Sequence, residues 1–210
     1  MIDSTRRPLA LVTSPFYPPE GLIKGILVNA LGKRFVAEDS YHSRTSIIAS
    51  EQPDGVAYLL VDDECFGRPE FGGYEPVDAW ESVAAMERDL RMPEGALQAT
   101  VKRFNEDAAK GQDPEFHKGK KWLKPLDHPP FAALQGSVGE GAWMCFTLGG
   151  LRVTKDGEVV RADGAKVPGL YAVGACASNI AQDGTGYSSG TCIGESTFFG
   201  RRAGRHAARA

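Results

Sequence analysis

The chain has 210 residues, 42% of them hydrophobic and 24% charged, and a formal net charge of −3. That suffices for one sizeable core or two modest ones in an ordinary globular protein, and the mixed charge gives no footing for nucleic acid or an anionic membrane as the main partner. No run approaches the roughly 20 apolar residues that span a bilayer, and Leu9–Val12 is too short for a signal-peptide core, so a cytoplasmic, soluble protein is expected.

In chain order, Pro15-Phe16-Tyr17-Pro18-Pro19 is a stiff lead-in, because proline fixes its own φ and biases the residue before it. Gly25–Asn29 and Arg34–Ala37 flank Ala30-Leu31-Gly32-Lys33, which reads as a hairpin. Val56–Val61 reads as a buried strand. A helix is expected from Asp78 to Leu90, with Asp78 and Glu81 as a capping box and Trp80, Val83 and Leu90 on one face. A second helix is expected from Pro93 to Lys110, with Leu97, Val101 and Phe104 as its apolar stripe and Gly111 ending it. The run His117-Lys118-Gly119-Lys120-Lys121 reads as a solvated loop. Gly111–Pro130 is irregular and proline-rich. Beyond it come strand-like stretches at Phe131–Gln135, Ala142–Phe146, Leu151–Val153, Glu158–Val160 and Leu170–Gly174, then a last helix from about Ser189 to Ala208. His117 and His206 are expected to be exposed.

The cysteines, Cys65, Cys145, Cys176 and Cys192, form no C-x-x-C pair and no metal-ligand spacing with histidine. They are expected to be reduced and mostly buried, and no metal site is expected. No Ser/His/Asp elbow or H-E-x-x-H motif is present. Three stretches could carry chemistry. Thr147-Leu148-Gly149-Gly150 is either a bulge or tight turn, or a place where backbone approaches a flat ligand closely. Gly184–Gly190 runs into the last helix, whose first amides suit an anion or oxyanion; Ser188 or Ser189 could equally be an ordinary N-cap. Glu38–Arg44 is either a polar loop or a cluster of proton-moving groups.

Together, and in this order, these stretches resemble a known family. Ile26–Asn29 with Gly32–Glu38, Leu97–Asn105 with Gly111–Phe116, Pro129-Pro130-Phe131, Thr147–Leu151, Val167–Gly174 and Phe199–Gly204 resemble the capping domain and closing flavin-binding elements of the fumarate reductase / 3-ketosteroid dehydrogenase flavoproteins. The implied fold class is mixed α+β and α/β. It consists of an extended lead-in over 1–24, a cap domain of strands plus two helices over 25–128, and the C-terminal strands and last helix of a split FAD-binding domain over 129–210. The dicarboxylate handles of the fumarate enzymes are missing: Trp143–Phe146 precedes Thr147, and the last loop reads Gly186-Tyr187-Ser188-Ser189-Gly190. The resemblance is therefore closest to the 3-ketosteroid dehydrogenases, particularly those that desaturate the 4,5 bond.

What the resemblance implies is FAD as cofactor and a small hydrophobic, steroid-like ketone as substrate. Desaturation proceeds by proton abstraction next to the carbonyl and hydride transfer to flavin N5. Tyr41, Tyr187 and Ser189 are the implied catalytic residues, and Gly149, Gly150, Gly174, Ala175, Ser188, Ser189, Gly190 and Ile193 would line the flavin. The glycine-rich loop that grips the FAD pyrophosphate in the family is absent, which implies a separate chain supplying the N-terminal half. Two alternatives stand beside this reading: a truncated, non-catalytic descendant that binds no FAD alone, and a fumarate reductase-like enzyme acting on another unsaturated acid.

Overall fold

The computed structural model describes residues 9–13, 21–67, 76–140, 143–177, 180, 181 and 183–210. The expected lead-in around Pro15–Pro19 lies outside them. The chain divides into two compact units, residues 12–144 and residues 1–11 with 145–210. The strands are β1 (Leu9–Thr13), β2 (Ile26–Asn29), β3 (Ala57–Asp62), β4 (Pro76–Trp80), β5 (Phe131–Gln135), β6 (Trp143–Thr147), β7 (Glu158–Val160) and β8 (Lys166–Tyr171). The helices are α1 (His42–Ser50), α2 (Val83–Asp89), α3 (Ala96–Ala108) and α4 (Thr191–Ala207). This mixed helix and strand composition is that of the expected fold class. β1 pairs with β6 in a two-stranded sheet.

The larger unit is built on an antiparallel sheet of order β2-β3-β5-β4. β3 has a neighbour on each side, and its residues are almost continuously buried. Leu60 faces Ile26 on one flank and Ala133 on the other. The expected strand at Val56–Val61 is therefore present, shifted by one residue. The hairpin expected after β2 is reduced to a turn and a single bridge between Val28 and Arg34. Gly32 enables this turn: it has φ +68°, and a Cβ there would sit 2.8 Å from the Leu97 nitrogen.

Two helix expectations need correction. Asp78 and Glu81 form no capping box. Residues 76–80 are strand β4, and α2 starts later, with Ser82 as N-cap accepting from the Ala85 N–H. Trp80 is buried from the strand, and its indole Nε1 donates to Asp89 at 2.9 Å. α3 starts at Ala96 rather than Pro93, and its first amides are taken by a carboxylate from α2. Glu87 accepts from the N–H groups of Gly95 (2.7 Å), Leu97 (2.7 Å) and Gln98 (3.1 Å). The expected stripe of Leu97, Val101 and Phe104 is buried in the core, and Gly111 follows the helix at φ +69°. β5, expected to belong with the segment over 129–210, instead lies inside the larger unit's sheet between β3 and β4.

A buried ionic cluster ties the irregular 113–119 stretch to this core. Arg34 donates to both Glu38 oxygens at 3.1 and 2.9 Å and both Asp113 oxygens at 3.1 and 3.0 Å. Its guanidinium also lies 4.9 Å from the Phe104 ring centroid and 5.0 Å from that of Phe116. Lys118 joins the cluster, with Nζ 3.2 Å from Glu38 and 2.6 Å from the Gly25 carbonyl. Lys118 is only 3% exposed, which corrects the solvated reading of its run. Burial drives its pKa down against the pull of Glu38. Asp62 does similar work further along, accepting from Lys124 Nζ at 3.0 Å and from the N–H groups of Asp127 and His128 at 3.2 Å. The cysteine expectation also changes: all four are unbridged, but Cys145 and Cys176 are exposed. Cys65 is buried, and burial with the nearby Asp62 charge pushes its thiol up to about 12.

The smaller unit holds β7, β8 and α4. β7 and β8 form an antiparallel pair, and Val153 bridges to Val159. α4 is pinned back onto this pair by Arg202 Nε to Asp156 at 2.8 Å and by Tyr171 OH to His206 Nδ1 at 3.0 Å. His206 is thus half-buried and bonded, not exposed as expected; His117 is exposed. Among the described residues no helix is long and apolar enough to cross a membrane.

Two predictions follow from the buried carboxylates. Arg34→Ala leaves Glu38 and Asp113 buried without their counter-ion and is expected to cost about 3–5 kcal/mol in urea unfolding. Burial pushes Asp62, Glu87 and Asp113 up, but the donors around them outweigh it, and all three are held below the usual carboxylate range. Their stabilisation is full above the unfolded value of about 3.9–4.3 and is lost as pH falls through the lower folded values. Thermal melts followed by circular dichroism are expected to be flat near neutral pH in this respect and to drop in midpoint below about pH 4.

Candidate functional site

The smaller unit brings three glycine-bearing elements together. The loop after β6 runs Leu148-Gly149-Gly150, with Leu148 buried. Leu151 N–H donates to the Cys176 carbonyl at 2.9 Å, and Leu151 bridges in parallel to Ala177. A Cβ on Gly150 would lie 2.5 Å from the Ala177 carbonyl carbon and oxygen, so backbone touches backbone there. A short 3-10 turn, Gly174–Cys176, follows β8. Gly174 has φ +61°, and a Cβ on it would meet Ser196 Oγ of α4 at 2.5 Å. The result is a continuous backbone surface: the post-β6 loop on the 3-10 turn, and the turn on α4. Only glycine allows two of these approaches.

α4 begins without a side-chain cap. Its N-cap is Gly190 at φ +91°, so neither Ser188 nor Ser189 caps it. The Ser188 carbonyl accepts from Thr191 Oγ1 at 2.8 Å instead. The positive end of the macrodipole lies here without a side-chain cap, and the Thr191 N–H itself donates to the Ser188 carbonyl at 3.2 Å. Ile193, in the first turn, is 73% exposed. Tyr187 stands in the loop just before, its ring edge-on to Phe146 with centroids 5.1 Å apart. Ser189 is exposed. Gly149, Gly150, Gly174, Ala175, Ser188, Ser189, Gly190 and Ile193 therefore all belong to one unit, as do Tyr187 and Ser189. The exposed backbone, the glycine floor and the bare helix start fit a flat, electron-poor ring system with an anionic edge.

Tyr41 lies in the other unit. It is the N-cap residue of α1, and its ring centroid is 4.2 Å from that of His42. Glu38–Arg44 is thus not all loop, since α1 begins at His42. Burial draws the His42 pKa down. The Ser43 hydroxyl beside it is buried with no hydrogen-bond partner among the described residues. Asp62, Asp127 and His128 bring ligand atoms within 4.8 Å of one another, but the Lys124 ammonium already occupies Asp62 at 3.0 Å.

Sequence reasoning missed two contributors to this region. By sequence Phe146 is a strand residue, yet its ring meets that of Tyr187 edge-on. Glu195 has no distinguishing sequence context, yet it is 8% exposed inside the smaller unit and accepts from the Ile180 N–H at 2.7 Å. No spacing rule marks either residue.

Residues 17–192 match the family model described as FAD binding domain. The structure is similar to that of 3-ketosteroid-delta4-(5alpha)-dehydrogenase from Rhodococcus jostii RHA1 in complex with 4-androstene-3,17-dione, with 38% identity and a TM-score of 0.80 over 95% of this chain and 41% of that one. The sequence is 37% identical over 129 residues to 4-oxocyclohex-2-ene-1-carboxylate 5-dehydrogenase of Sinomonas cyclohexanicum, covering 54% of this chain and 21% of that protein. It is 27% identical over 196 residues to urocanate reductase of Eggerthella lenta, covering 88% of this chain and 31% of that protein. The chain thus spans less than half the length of each of these relatives. A glycine-floored surface at a bare helix start and a family match over most of the sequence agree: the chain belongs to the FAD binding domain family of flavoprotein oxidoreductases, whose cofactor is FAD.

Proposed function

We propose that this chain supplies the cap and the closing flavin-side segment of an FAD-dependent dehydrogenase acting on CH–CH groups of a hydrophobic ketone, with a 3-ketosteroid as the favoured substrate class. The observation that carries this reading is the likeness to the Rhodococcus 3-ketosteroid dehydrogenase over 95% of the chain at 38% identity. The proposed division is a cap over 25–128, with β5 added to its sheet, and a flavin-side segment over the remainder to 210. A cytoplasmic site of action goes with this reading.

The chemistry assigned to the chain is positioning and proton transfer. Tyr187 and Ser189 donate to the substrate carbonyl oxygen, which acidifies the neighbouring C–H. A phenol can also relay the released proton, and Tyr41 on the cap is the further carrier in that path. FAD, when bound, supplies the hydride acceptor. The glycines Gly149, Gly150, Gly174 and Gly190, with Ala175, Ser188, Ser189 and Ile193, hold it by backbone, and the start of α4 favours its negatively charged reduced form.

A second reading concerns what completes the site. The large hydrophobic core lies entirely between Leu22 and Leu134. By contrast, the smaller unit buries few apolar side chains and leaves Ile180 69%, Ile193 73% and Phe198 61% exposed. Surface of this kind is suited to burial against further polypeptide. The proposed occupant is the nucleotide-gripping half of the flavoprotein, carried on the same or a separate chain; without it, the segment is a flavoprotein remnant that binds no FAD.

Three outcomes test these proposals. Production together with a family nucleotide-binding half is expected to give a yellow protein with steroid-dependent dye reduction, and absence of that reduction would count against the substrate class. Tyr187→Phe is expected to lower turnover by ~10²–10⁴ with flavin content unchanged; full turnover would remove the tyrosine from the mechanism. Gly150→Ala forces a Cβ onto the Ala177 backbone, so flavin absorbance per protein is expected to fall, with destabilisation of about 1–3 kcal/mol.

A further inference from the structure

Among the described residues of the smaller unit, Glu195 is the only charged side chain that is buried. It lines a cavity of about 250 Å³ together with Val153, Gly157, Ala177, Ile180 and Phe199. No cation lies within ion-pair distance of it among the described residues. A buried carboxylate without a counter-ion is costly unless it has a specific hydrogen-bonding role.

That role is visible in one bond. Glu195 is the fifth residue of α4, and side chains on a helix lean toward its N-terminus. Its Oε1 reaches back and accepts the Ile180 N–H at 2.7 Å, within the short range of charge-assisted bonds. The Ile180 side chain is 69% exposed, so apolar burial does not hold this point of the chain. The loop that starts there ends on the same helix, where Ser188 O accepts from Thr191 Oγ1 at 2.8 Å. In between, Asp183 Oδ1 accepts from Thr185 Oγ1 at 2.6 Å and Gly186 N–H at 2.8 Å, and Tyr187 rests on Phe146. Both ends of the loop are therefore strapped to the first five residues of α4.

We propose that Glu195 is a positioning residue: by holding the first end of the 180–188 loop on α4, it fixes where Tyr187 stands. The functional part of this proposal rests on Tyr187 handling the proton. Glutamine keeps both the shape and the acceptor oxygen, whereas alanine removes the strap. Hydrogen exchange of the full chain, followed by mass spectrometry, tests it directly. In Glu195→Ala, exchange over 180–188 is expected to speed up by ~ten-fold or more, while the peptides of α3 are unchanged. Glu195→Gln is expected to stay near the parent chain. Unchanged protection of the loop in Glu195→Ala would overturn the proposal. So would equal loosening across all of 145–210, or a Glu195→Gln chain as loose as Glu195→Ala. In the flavin-loaded enzyme, Glu195→Ala is expected to lower kcat by ~ten-fold with little change in KM, and Glu195→Gln to restore it. A loosened loop with full turnover would uphold the strap and instead remove Tyr187 from the chemistry.

Discussion

Among the described residues, most of the buried apolar side chains lie in one cluster, and much of the structure follows from that. Every member of the large hydrophobic cluster falls between Leu22 and Leu134. The larger unit therefore has a core of the ordinary kind, with a four-stranded sheet and helices contributing large side chains to it. The smaller unit has much less to bury, and its cohesion comes from another source. There the backbone packs on backbone at Gly150, and a glycine turn packs on a serine of α4 at Gly174. Close backbone approach and exposed polar groups are what a planar cofactor needs, and a dense side-chain core would fill the same space. The two units thus divide between side-chain packing and glycine contact as sources of cohesion.

Carboxylates supply the second organising device. Glu38, Asp62, Glu87, Asp113 and Glu195 are all buried, and each accepts from at least one backbone N–H. In each case the acid reaches from one segment to another: Glu87 starts α3 from α2, Asp62 holds the 124–128 stretch on β3, and Glu195 holds a loop on α4. Irregular chain has backbone donors that no ladder satisfies. A charged acceptor satisfies two or three of them from a single side chain. This is how a proline-rich stretch such as 111–130 can be ordered without regular structure of its own.

The parts of this architecture that could be read from the sequence are those governed by local periodicity. The stripe Leu97, Val101, Phe104 marks α3 because three apolar side chains at helical spacing have few other uses. β3 is legible as a short apolar run, and α4 as a glycine-punctuated helix after a glycine-rich loop. α1 escapes such reading because serine and threonine fill it, and hydroxyls bonded back to carbonyls, as Ser46 is to His42, leave no apolar pattern. The Asp78–Glu81 spacing misleads because sheet pairing with β5 overrides a local capping signal. In the site, the glycines are legible since their backbone freedom is a property of the residue itself. Glu195 and Phe146 are not, because an acid in a helix or an aromatic in a strand acquires its role only from what the fold brings beside it.

The burial of Lys118 has a consequence for the protein as a chemical reagent meets it. Three lysines occur within four residues, at 118, 120 and 121, and by sequence they are equivalent targets. The fold makes them unlike. The amine of Lys118 is enclosed by Glu38 and the Gly25 carbonyl, whereas Lys121 lies over the Trp122 ring at the surface. An acylating reagent or a modifying enzyme thus meets a short basic run in which one member is silent while the larger unit is folded. That residue becomes a reporter of unfolding in the larger unit, readable by the mass of a single peptide.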